Sequence, residues 1–417
     1  ISELNVILDI SRIFMSHNSL ELKVYKALNI VRNSFGFDLV LLRRRVNEGL
    51  SVYSYSGESK GSLITSYRVI DQERSYIGKA AVMKKSFAVN DIDQITLNEF
   101  SVDLKKDGVL CFAHIPLIIN DELHGIVSCY SRKTKGLFVR EMINLLESIA
   151  NQMAYLINNH YQLEEIIKIR EISRELEIAK DIQMSLLPDV LPSVKGVKMS
   201  GVCYPSEFVG GDYYDFIDVG DNIFDVIIAD VSGHNVASAL VMTELRSIVK
   251  SILSFSKEIS PGKIMTLINK EINGDLTKLQ FIITMVYMRV DVNRGTLTFS
   301  NAGHYNPIII HKDTSIEELK WGEPLIGVID DYLYTEQTYQ MSSGDVVFLY
   351  TDGIIEAENP NGVFFGMDAL KSALKSVCSN EKLPENIITK VHGIVTEFRG
   401  GKKQSDDITM ACFNVEY

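Results

Sequence analysis

Acidic side chains at the ends of strand-like apolar runs are the feature that most constrains how this 417-residue chain can fold. Asp212 opens the run 213–219, and Asp230 closes the run 223–229. A turn-like Gly-Asp-Asn segment at 220–222 separates the two runs. Two strands joined by such a turn bring both carboxylates to one end of an antiparallel sheet.

Two more acids recur in similar settings. Asp352 lies in the segment Tyr350-Thr351-Asp352-Gly353, which comes straight after the apolar run 346–349, and Asp406 comes just before a final strand-like segment. Glycine lies close to most of these acids, where the absence of a Cβ allows the backbone to approach closely. Carboxylate and carbonyl oxygens are the ligands that hard divalent cations prefer. The four acids therefore predict a cation site at the end of a sheet.

Composition narrows the class of protein. The chain is 46% hydrophobic and 23% charged, which is ordinary for a soluble protein, and its length favours two or three domains. A net charge of −12 argues against nucleic acid or an anionic membrane surface as the main partner. No apolar run approaches the ~18 residues that a membrane span requires. These features predict a cytoplasmic protein.

Cysteine usage agrees with a reducing compartment. The five cysteines are odd in number and none has the spacing of metal ligands, so we expect reduced thiols. The chain begins at Ile1 rather than Met, which leads us to expect a further segment before it. The cysteines are Cys111, Cys129, Cys203, Cys378 and Cys412.

Residues 1–140 predict a first domain. Helical periodicity covers 4–14 and 20–35, and two hairpins follow with a mixed segment between them. The predicted hairpin strands are 39–46 with 50–55, and 112–119 with 123–130.

This order, with Ile115-Pro116-Leu117-Ile118 followed by Gly125-Ile126-Val127, resembles a GAF domain. The resemblance implies a sensor for an unidentified small molecule or signal, or a dimerisation module. Cys111 could hold a chromophore with His114 nearby, but a small buried cysteine in a strand is the favoured interpretation.

Residues 141–188 predict one long helix. Apolar residues alternate spacings of four and three in two phases, and the phase breaks between Ile166 and Ile169. A narrow stripe with Gln152, Asn159 and Gln183 in its seam favours a parallel coiled-coil homodimer. The alternative is one helix packed on its own domains. Proline after the helix predicts its end near residue 188.

Residues 189–417 predict a layered α+β domain in which two antiparallel sheets are flanked by helices. Short turns join most of the strand-like runs, which favours antiparallel pairing. The predicted strands are 197–204, 213–219, 223–231, 281–290, 296–302, 307–311, 346–350 and 408–415, and the predicted helices are 238–254, 261–275, 367–376 and 384–398.

Five motifs in a fixed order resemble the metal-dependent protein phosphatases (PPM) of the bacterial SpoIIE/RsbU type. The segment 176–188 also looks like the helix that precedes that domain. The resemblance covers about 240 residues of this chain. The motifs are Gly210-Gly211-Asp212, Asp230-Val231-Ser232-Gly233-His234, Asn301-Ala302-Gly303-His304, Tyr350-Thr351-Asp352-Gly353 and Asp406-Asp407-Ile408-Thr409.

The resemblance implies two Mn²⁺ or Mg²⁺ ions and a water that attacks a phosphoserine or phosphothreonine. Carried over by motif, Asp230 bridges the ions, Asp212 ligates beside it, and the Val231 carbonyl takes a further position. Asp352 and Asp406 complete the protein ligands. No side-chain nucleophile is required, since the metals activate water.

Several assignments stay open at this point. Asp407 could replace Asp406 as a ligand, although the motif favours Asp406. His234 and His304 could be general acids, but structural roles are favoured. Asn235 stands where relatives commonly have glycine, and asparagine tolerates left-handed backbone geometry. Three other acids are expected at the surface or in support of the ligands: Asp215, Asp218 and Asp225.

The function predicted from sequence is a sensor-regulated phosphoserine/phosphothreonine phosphatase. The resemblance implies that its substrate is a phosphorylated anti-sigma-factor antagonist, a STAS-domain protein. The alternative is a catalytically weak or inactive protein of the same fold that binds phosphoproteins. A nucleotide cyclase is disfavoured, because the motifs hold four acids and no adjacent Lys or Arg for a triphosphate.

Overall fold

The computed structural model describes residues 3–47, 49–58, 64, 75–95, 99–233 and 235–416. The chain forms two compact units, Ile1–Glu171 and Ile172–Tyr417. The predicted boundaries at 140 and 188 stay a prediction. In the described part of the chain, no helix combines the length and the apolar character needed to span a bilayer.

The first unit is built on a five-stranded antiparallel sheet in the order β2-β1-β5-β4-β3. Both predicted hairpins and both predicted N-terminal helices are confirmed. The described residues of the mixed segment form two short α-helices, a 3-10 helix (Ile92–Gln94) and a strand that the sequence pattern did not predict. The elements are α1 (Glu3–Phe14), α2 (Leu20–Phe35), β1 (Leu39–Val46), β2 (Gly49–Gly57), α3 (Tyr76–Met83), β3 (Phe87–Val89), α4 (Glu99–Lys106), β4 (Cys111–Ile119) and β5 (Glu122–Ser131).

The long helix is α5 (Arg140–Leu186), close to the predicted 141–188. Its first part packs into the core of the first unit, where Leu145 and Ile149 are buried. Gln183 is also buried, by a contact described below. These three residues are therefore not free to form a dimer seam, which corrects that part of the prediction. The apolar residues of α5 that remain exposed are Leu163, Ile166, Ile167, Ile169, Ile172, Ile178 and Ile182.

The second unit contains two five-stranded antiparallel sheets, in the orders β13-β10-β9-β8-β7 and β12-β11-β14-β15-β6. The α+β class with a flanked β-sandwich is confirmed. The elements are β6 (Val197–Tyr204), β7 (Tyr213–Gly220), β8 (Ile223–Val231), α6 (Val236–Phe255), α7 (Pro261–Leu279), β9 (Ile283–Asp291), β10 (Thr296–Ala302), β11 (Ile308–Ile310), β12 (Ile316–Glu318), β13 (Gln337–Gln340), β14 (Val346–Tyr350), α8 (Asp352–Ile355), α9 (Gly366–Cys378), α10 (Pro384–Arg399) and β15 (Ile408–Val415).

Strand β14 shows how the layers are built. Val347 and Leu349 join the core between the sheets, while Val346, Phe348 and Tyr350 join the core beneath α9 and α10. Successive side chains of a strand point to opposite faces, so a strand buried on both faces is apolar throughout. All five residues are buried, which explains the continuous apolar run before Asp352.

Asp225 forms a buried ion pair and is not a surface residue. Arg289 lies opposite it on β9 and donates two hydrogen bonds of 2.7 Å to its carboxylate, and the Tyr287 hydroxyl donates a third. Asp215 is buried too, with Lys250 Nζ at 2.6 Å. The expectation of a surface position is therefore wrong for these two acids, while Asp218 is exposed.

We expect Asp225→Ala to lower the free energy of unfolding by about 2 kcal/mol, because it removes the carboxylate partner of a guanidinium that is only 14% exposed. Urea unfolding followed by circular dichroism measures the effect. Asp218→Ala is the matched control and is expected to change stability by less than about 0.5 kcal/mol. Equal stabilities of the two variants would contradict a structural role for the Asp225–Arg289 pair.

Candidate functional site

Asp212 is held between the two sheets of the second unit. It immediately precedes β7 and is 3% exposed. Thr351, at the end of β14, donates a 2.8 Å hydrogen bond from its hydroxyl to the Asp212 carboxylate. The same hydroxyl accepts a 3.0 Å hydrogen bond from the Thr409 amide at the start of β15. The Thr351 side chain thus links Asp212, which precedes β7 of one sheet, to the ends of β14 and β15 in the other sheet.

Asp230 and Val231 lie at the end of β8, next to the Gly210-Gly211 segment. The Val231 amide donates to the Gly211 carbonyl at 3.3 Å. A Cβ on Gly211 would lie 2.4 Å from the Val231 carbonyl oxygen, which is too close for any side chain. Glycine at 211 is therefore required for the close approach of the strand ends that carry Asp212 and Asp230.

The two neighbouring acids at 406 and 407 have different surroundings. The Asp407 carboxylate is buried and accepts hydrogen bonds from the amides of Ser206 at 2.7 Å and Gly211 at 2.8 Å. Asp406 is partly exposed, and one of its oxygens accepts from the Asp407 amide at 2.8 Å. Asp407 therefore anchors the segment leading into Asp212, while Asp406 keeps a carboxylate oxygen without such a bond.

The acids interact strongly with one another. Burial raises the pKa of Asp230 to about 7, with further contributions from Asp352, Asp406, Asp407 and Glu356. This set joins acids from β8, α8 and the segment before β15. The structure therefore brings together acids that are far apart in sequence.

The pKa values of Asp352 and Asp212 are raised for the same reasons. Burial, Asp406 and Glu356 raise the pKa of Asp352 to about 6. Burial, followed by Asp230 and Asp407, raises the pKa of Asp212 well above its ordinary value. Each shift means that ionised neighbours and poor solvation disfavour the carboxylate form. Among the described residues, no positively charged side chain is a main cause of these three pKa shifts.

The donor set fits a hard divalent cation. It consists of carboxylates with the Val231 carbonyl beside Gly211, and a cation would offset the repulsion that raises the pKa values. In the residues that the structure describes, no three His, Cys, Asp or Glu side chains converge as ligands of one ion. Asp212, Asp230, Asp352 and Asp406 are thus neighbours, without a closed ligand cage among the described residues.

His304 has a structural environment. Its Nε2 lies 3.0 Å from the Tyr350 carbonyl, and its Nδ1 lies 2.7 Å from the Thr284 hydroxyl. Burial lowers its pKa to about 4, so the ring is neutral at pH 7. Because both ring nitrogens are engaged, the geometry supports the structural role expected from sequence. His234 lies outside the described residues.

Asn235 caps helix α6. Its side chain accepts hydrogen bonds from the amides of Ala237 at 2.9 Å and Ser238 at 3.2 Å, and Ser238 Oγ accepts from the Asn235 amide. Its φ is −124°, in the extended region. The interpretation that asparagine is tolerated here for left-handed geometry is therefore wrong; asparagine serves as a helix N-cap.

Gln183 contacts this site from helix α5, which sequence reasoning missed. Its side-chain amide donates to the Gly210 carbonyl at 2.7 Å, and its carbonyl accepts from the Gly210 amide at 3.0 Å. Gln183 thus bonds both the amide and the carbonyl of Gly210, which lies two positions before Asp212. The only sequence signal is a polar position in a largely apolar helical stripe, a pattern that predicts a dimer seam.

The raised pKa of Asp230 predicts how stability depends on pH in chelator-treated protein. A carboxyl whose pKa rises from 3.8 to about 7 on folding binds more protons in the native state, so stability falls as pH rises through that interval. We expect the wild type to lose stability relative to Asp230→Asn between those pH values. Thermal unfolding of both proteins in EDTA measures the difference. A constant difference across the interval would contradict the raised pKa.

Comparison with known protein families identifies both units. Residues 220–416 match the family model for Stage II sporulation protein E (SpoIIE), and residues 26–158 match a GAF domain model. The chain carries a GAF domain and a SpoIIE-type PPM domain. The SpoIIE match includes four of the five predicted ligands and begins after Asp212.

Two curated relatives each match about half of the chain. Phosphoserine phosphatase RsbU of Bacillus subtilis (strain 168) is 27% identical over 220 residues, covering 52% of this chain and 64% of the relative. Phosphoserine phosphatase RsbP of the same organism is 25% identical over 222 residues, covering 52% of this chain and 53% of the relative. The matched region therefore spans less than two thirds of either relative.

A solved structure supports the fold. The SiaA-PP2C domain of Pseudomonas aeruginosa aligns with a TM-score of 0.54 and 23% identity, covering 60% of this chain and 99% of that domain. At this identity the similarity concerns the architecture of the SpoIIE-type domain alone.

Proposed function

We propose that this protein is a metal-dependent phosphoserine/phosphothreonine protein phosphatase. The observation that carries the proposal is the convergence of buried and partly buried acids from both sheets, which raise one another's pKa values. A protein stabilises such a group of carboxylates with bound cations. The match to two phosphoserine phosphatases supports this reaction.

The proposed site holds two Mn²⁺ or Mg²⁺ ions. Asp230 would bridge them, with Asp212, Asp352, Asp406 and the Val231 carbonyl as the other protein ligands. When bound, such ions lower the pKa of a coordinated water and neutralise charge on phosphoryl oxygens. Asp406 is favoured over Asp407, because backbone amides already engage both Asp407 oxygens.

Other residues of the chain position these ligands. Thr351 orients the Asp212 carboxylate by its 2.8 Å hydrogen bond, and Gly211 leaves room for the Val231 carbonyl. Asp407 and Gln183 hold the segment before Asp212 by hydrogen bonds to Gly211 and Gly210. Such preorganisation reduces the reorganisation required when substrate and ions bind.

The proposed substrate is a phosphorylated anti-sigma-factor antagonist of the STAS type, in the cytoplasm. The resemblance to the SpoIIE/RsbU type supports this choice. We further propose that a signal at the GAF domain regulates activity and that α5 mediates homodimerisation. The exposed apolar residues between Leu163 and Ile182 support a dimer contact, since such a stripe is costly to leave in water.

The direct test measures phosphate release from a phosphoserine peptide with and without Mn²⁺. We expect turnover that depends on the metal and is abolished by EDTA. A parallel calorimetric titration with Mn²⁺ measures ion binding independently of turnover. Metal binding without turnover on a phosphopeptide or a phosphorylated STAS protein would favour the phosphoprotein-binding alternative. Absence of both would contradict the assigned site.

A further inference from the structure

Arg44 of the GAF unit has an unusual environment. On β1, Val40 and Leu42 point into the core that contains the first part of α5, and Arg44 is the next residue on that face. Its guanidinium lies 4.8 Å from the ring centroid of Tyr161 and 6.0 Å from that of Tyr53. It also donates a hydrogen bond to the Tyr161 hydroxyl.

These contacts hold the guanidinium without neutralising it. Aromatic faces attract a cation, and a phenol hydroxyl accepts one of its hydrogen bonds, but neither carries a negative charge. Among the described residues, no carboxylate lies within ion-pair distance of Arg44. The side chain therefore presents a fixed, planar set of remaining donors, which suits phosphate and carboxylate groups.

The guanidinium lines a cavity of about 700 Å³ at one end of the sheet. The volume is in the range of small-molecule sites. Lys84 in the wall is paired with Asp121 at 2.9 Å, so that pair contributes little net charge. Among the described residues, the other charged groups of the wall are Arg44, Arg45 and Glu122. Two guanidiniums against one carboxylate give this described part of the wall a positive balance.

The cavity combines this charge with apolar and amide groups. Leu123 and Ile157 contribute apolar surface, Asn158 contributes an amide, and Tyr161 contributes an aromatic ring. A few placed polar groups beside apolar surface are typical of small-molecule sites. Ile157, Asn158 and Tyr161 belong to α5, so an occupant would contact this helix directly. Beyond Ile157, which is 4% exposed, the helix leaves the core of the first unit.

We propose that this cavity binds a small organic anion through its phosphate or carboxylate group, with Arg44 as the main anchor. The apolar part of the anion would pack against Leu123 and Tyr161. Binding at this position would give the GAF unit a ligand site in contact with α5. The proposal concerns ligand binding alone and does not depend on the phosphatase activity.

The test measures binding of AMP, as a phosphate carrying an aromatic part, and citrate, as a carboxylate, by calorimetry with the full chain at low ionic strength. We expect saturable binding of at least one of them. Arg44→Gln should weaken that binding by about tenfold or more, because it removes a charge-assisted interaction. Arg12→Gln is the matched control, since Arg12 is 76% exposed on α1 and does not line the cavity.

Arg44→Lys keeps the charge but removes the planar fork, and we expect affinity between those of the wild type and Arg44→Gln. Circular dichroism checks that each variant is folded. If Arg44→Gln does not fold, the Arg44→Lys comparison decides, and unchanged affinity in that variant would overturn the role of Arg44. Absence of binding of both probes by the wild type, or equal affinities of Arg44→Gln and Arg12→Gln, would overturn the proposal.

Discussion

Replacing Asp230 with Asn is expected to lower the hydrolysis of a phosphoserine peptide by about 10³-fold or more, a loss of ~4 kcal/mol in transition-state stabilisation. Asn keeps the shape of the side chain but removes the charge that would bridge two cations. The same substitution is expected to raise the melting temperature of the metal-free protein, because Asp230 is partly buried beside other carboxylates, and both effects raise its pKa to about 7. Metal-free protein thus becomes more stable while activity is lost.

These opposite effects separate a ligand from a structural acid. Steady-state kinetics at saturating Mn²⁺ and thermal unfolding in EDTA measure them on the same samples. Asp275→Asn is the matched control, since Asp275 is 52% exposed on α7 and is expected to alter neither quantity appreciably. We expect Asp352→Asn to have the same two effects as Asp230→Asn, a loss of activity and a higher melting temperature without metal. Full activity in the Asp230 variant, or a large loss of metal-free stability, would contradict the proposed metal centre.

Local sequence patterns were sufficient to predict the strands that carry these acids. The apolar run 346–350, which ends two residues before Asp352, is typical of a strand buried on both faces, and β14 confirms this prediction. The turn at 220–222 joins β7 and β8 in the same way. Because strand ends and their flanking residues are local features, the candidate acids could be named without knowledge of the tertiary contacts.

Contacts between distant residues could not be predicted in this way. Thr351 bonds to Asp212, and Asp407 bonds to the amides of Ser206 and Gly211, across 139, 201 and 196 positions of sequence. A hydroxyl or carboxylate beside a motif has no periodicity that indicates its partner. The distinction between Asp406 and Asp407 therefore rested on the motif, whereas the structure supplies a physical reason for it.

Helix α5 shows why an apolar pattern does not identify the partner that covers it. Heptad-like spacing reports only that one face of a helix is apolar, and it does not report what covers that face. Leu145 and Ile149 are covered by the first unit itself. Gln183 lies in the same stripe but bonds to a backbone residue of the second unit. Positions of the predicted seam thus lie in different surroundings: some pack in the core of the first unit, and one bonds to the backbone of the second unit.

Gln183→Ala is expected to lower phosphatase activity by about 10²-fold, or ~3 kcal/mol, with a weaker affinity for Mn²⁺. The truncation leaves the amide and carbonyl of Gly210 without the partners that now lie at 3.0 and 2.7 Å. The segment that leads into Asp212 would then adopt several conformations, and holding the ligand in its productive position would cost free energy. Calorimetric titration with Mn²⁺, together with kinetics across a range of Mn²⁺ concentrations, measures both effects.

Two further variants separate this hydrogen-bond geometry from a general loss of helix packing. Gln183→Glu can still accept from the Gly210 amide but cannot donate to the Gly210 carbonyl when ionised, so we expect activity between those of the wild type and Gln183→Ala. Gln152→Ala makes the same truncation elsewhere on α5, where Gln152 contacts Ser11 at 3.5 Å, and should leave Mn²⁺ affinity unchanged. If Gln183→Ala binds Mn²⁺ like the wild type, α5 does not control the metal centre through Gly210. If affinity falls only in the Gln183 variants, the end of this helix sets the position of Asp212, and any signal that shifts α5 can regulate the site.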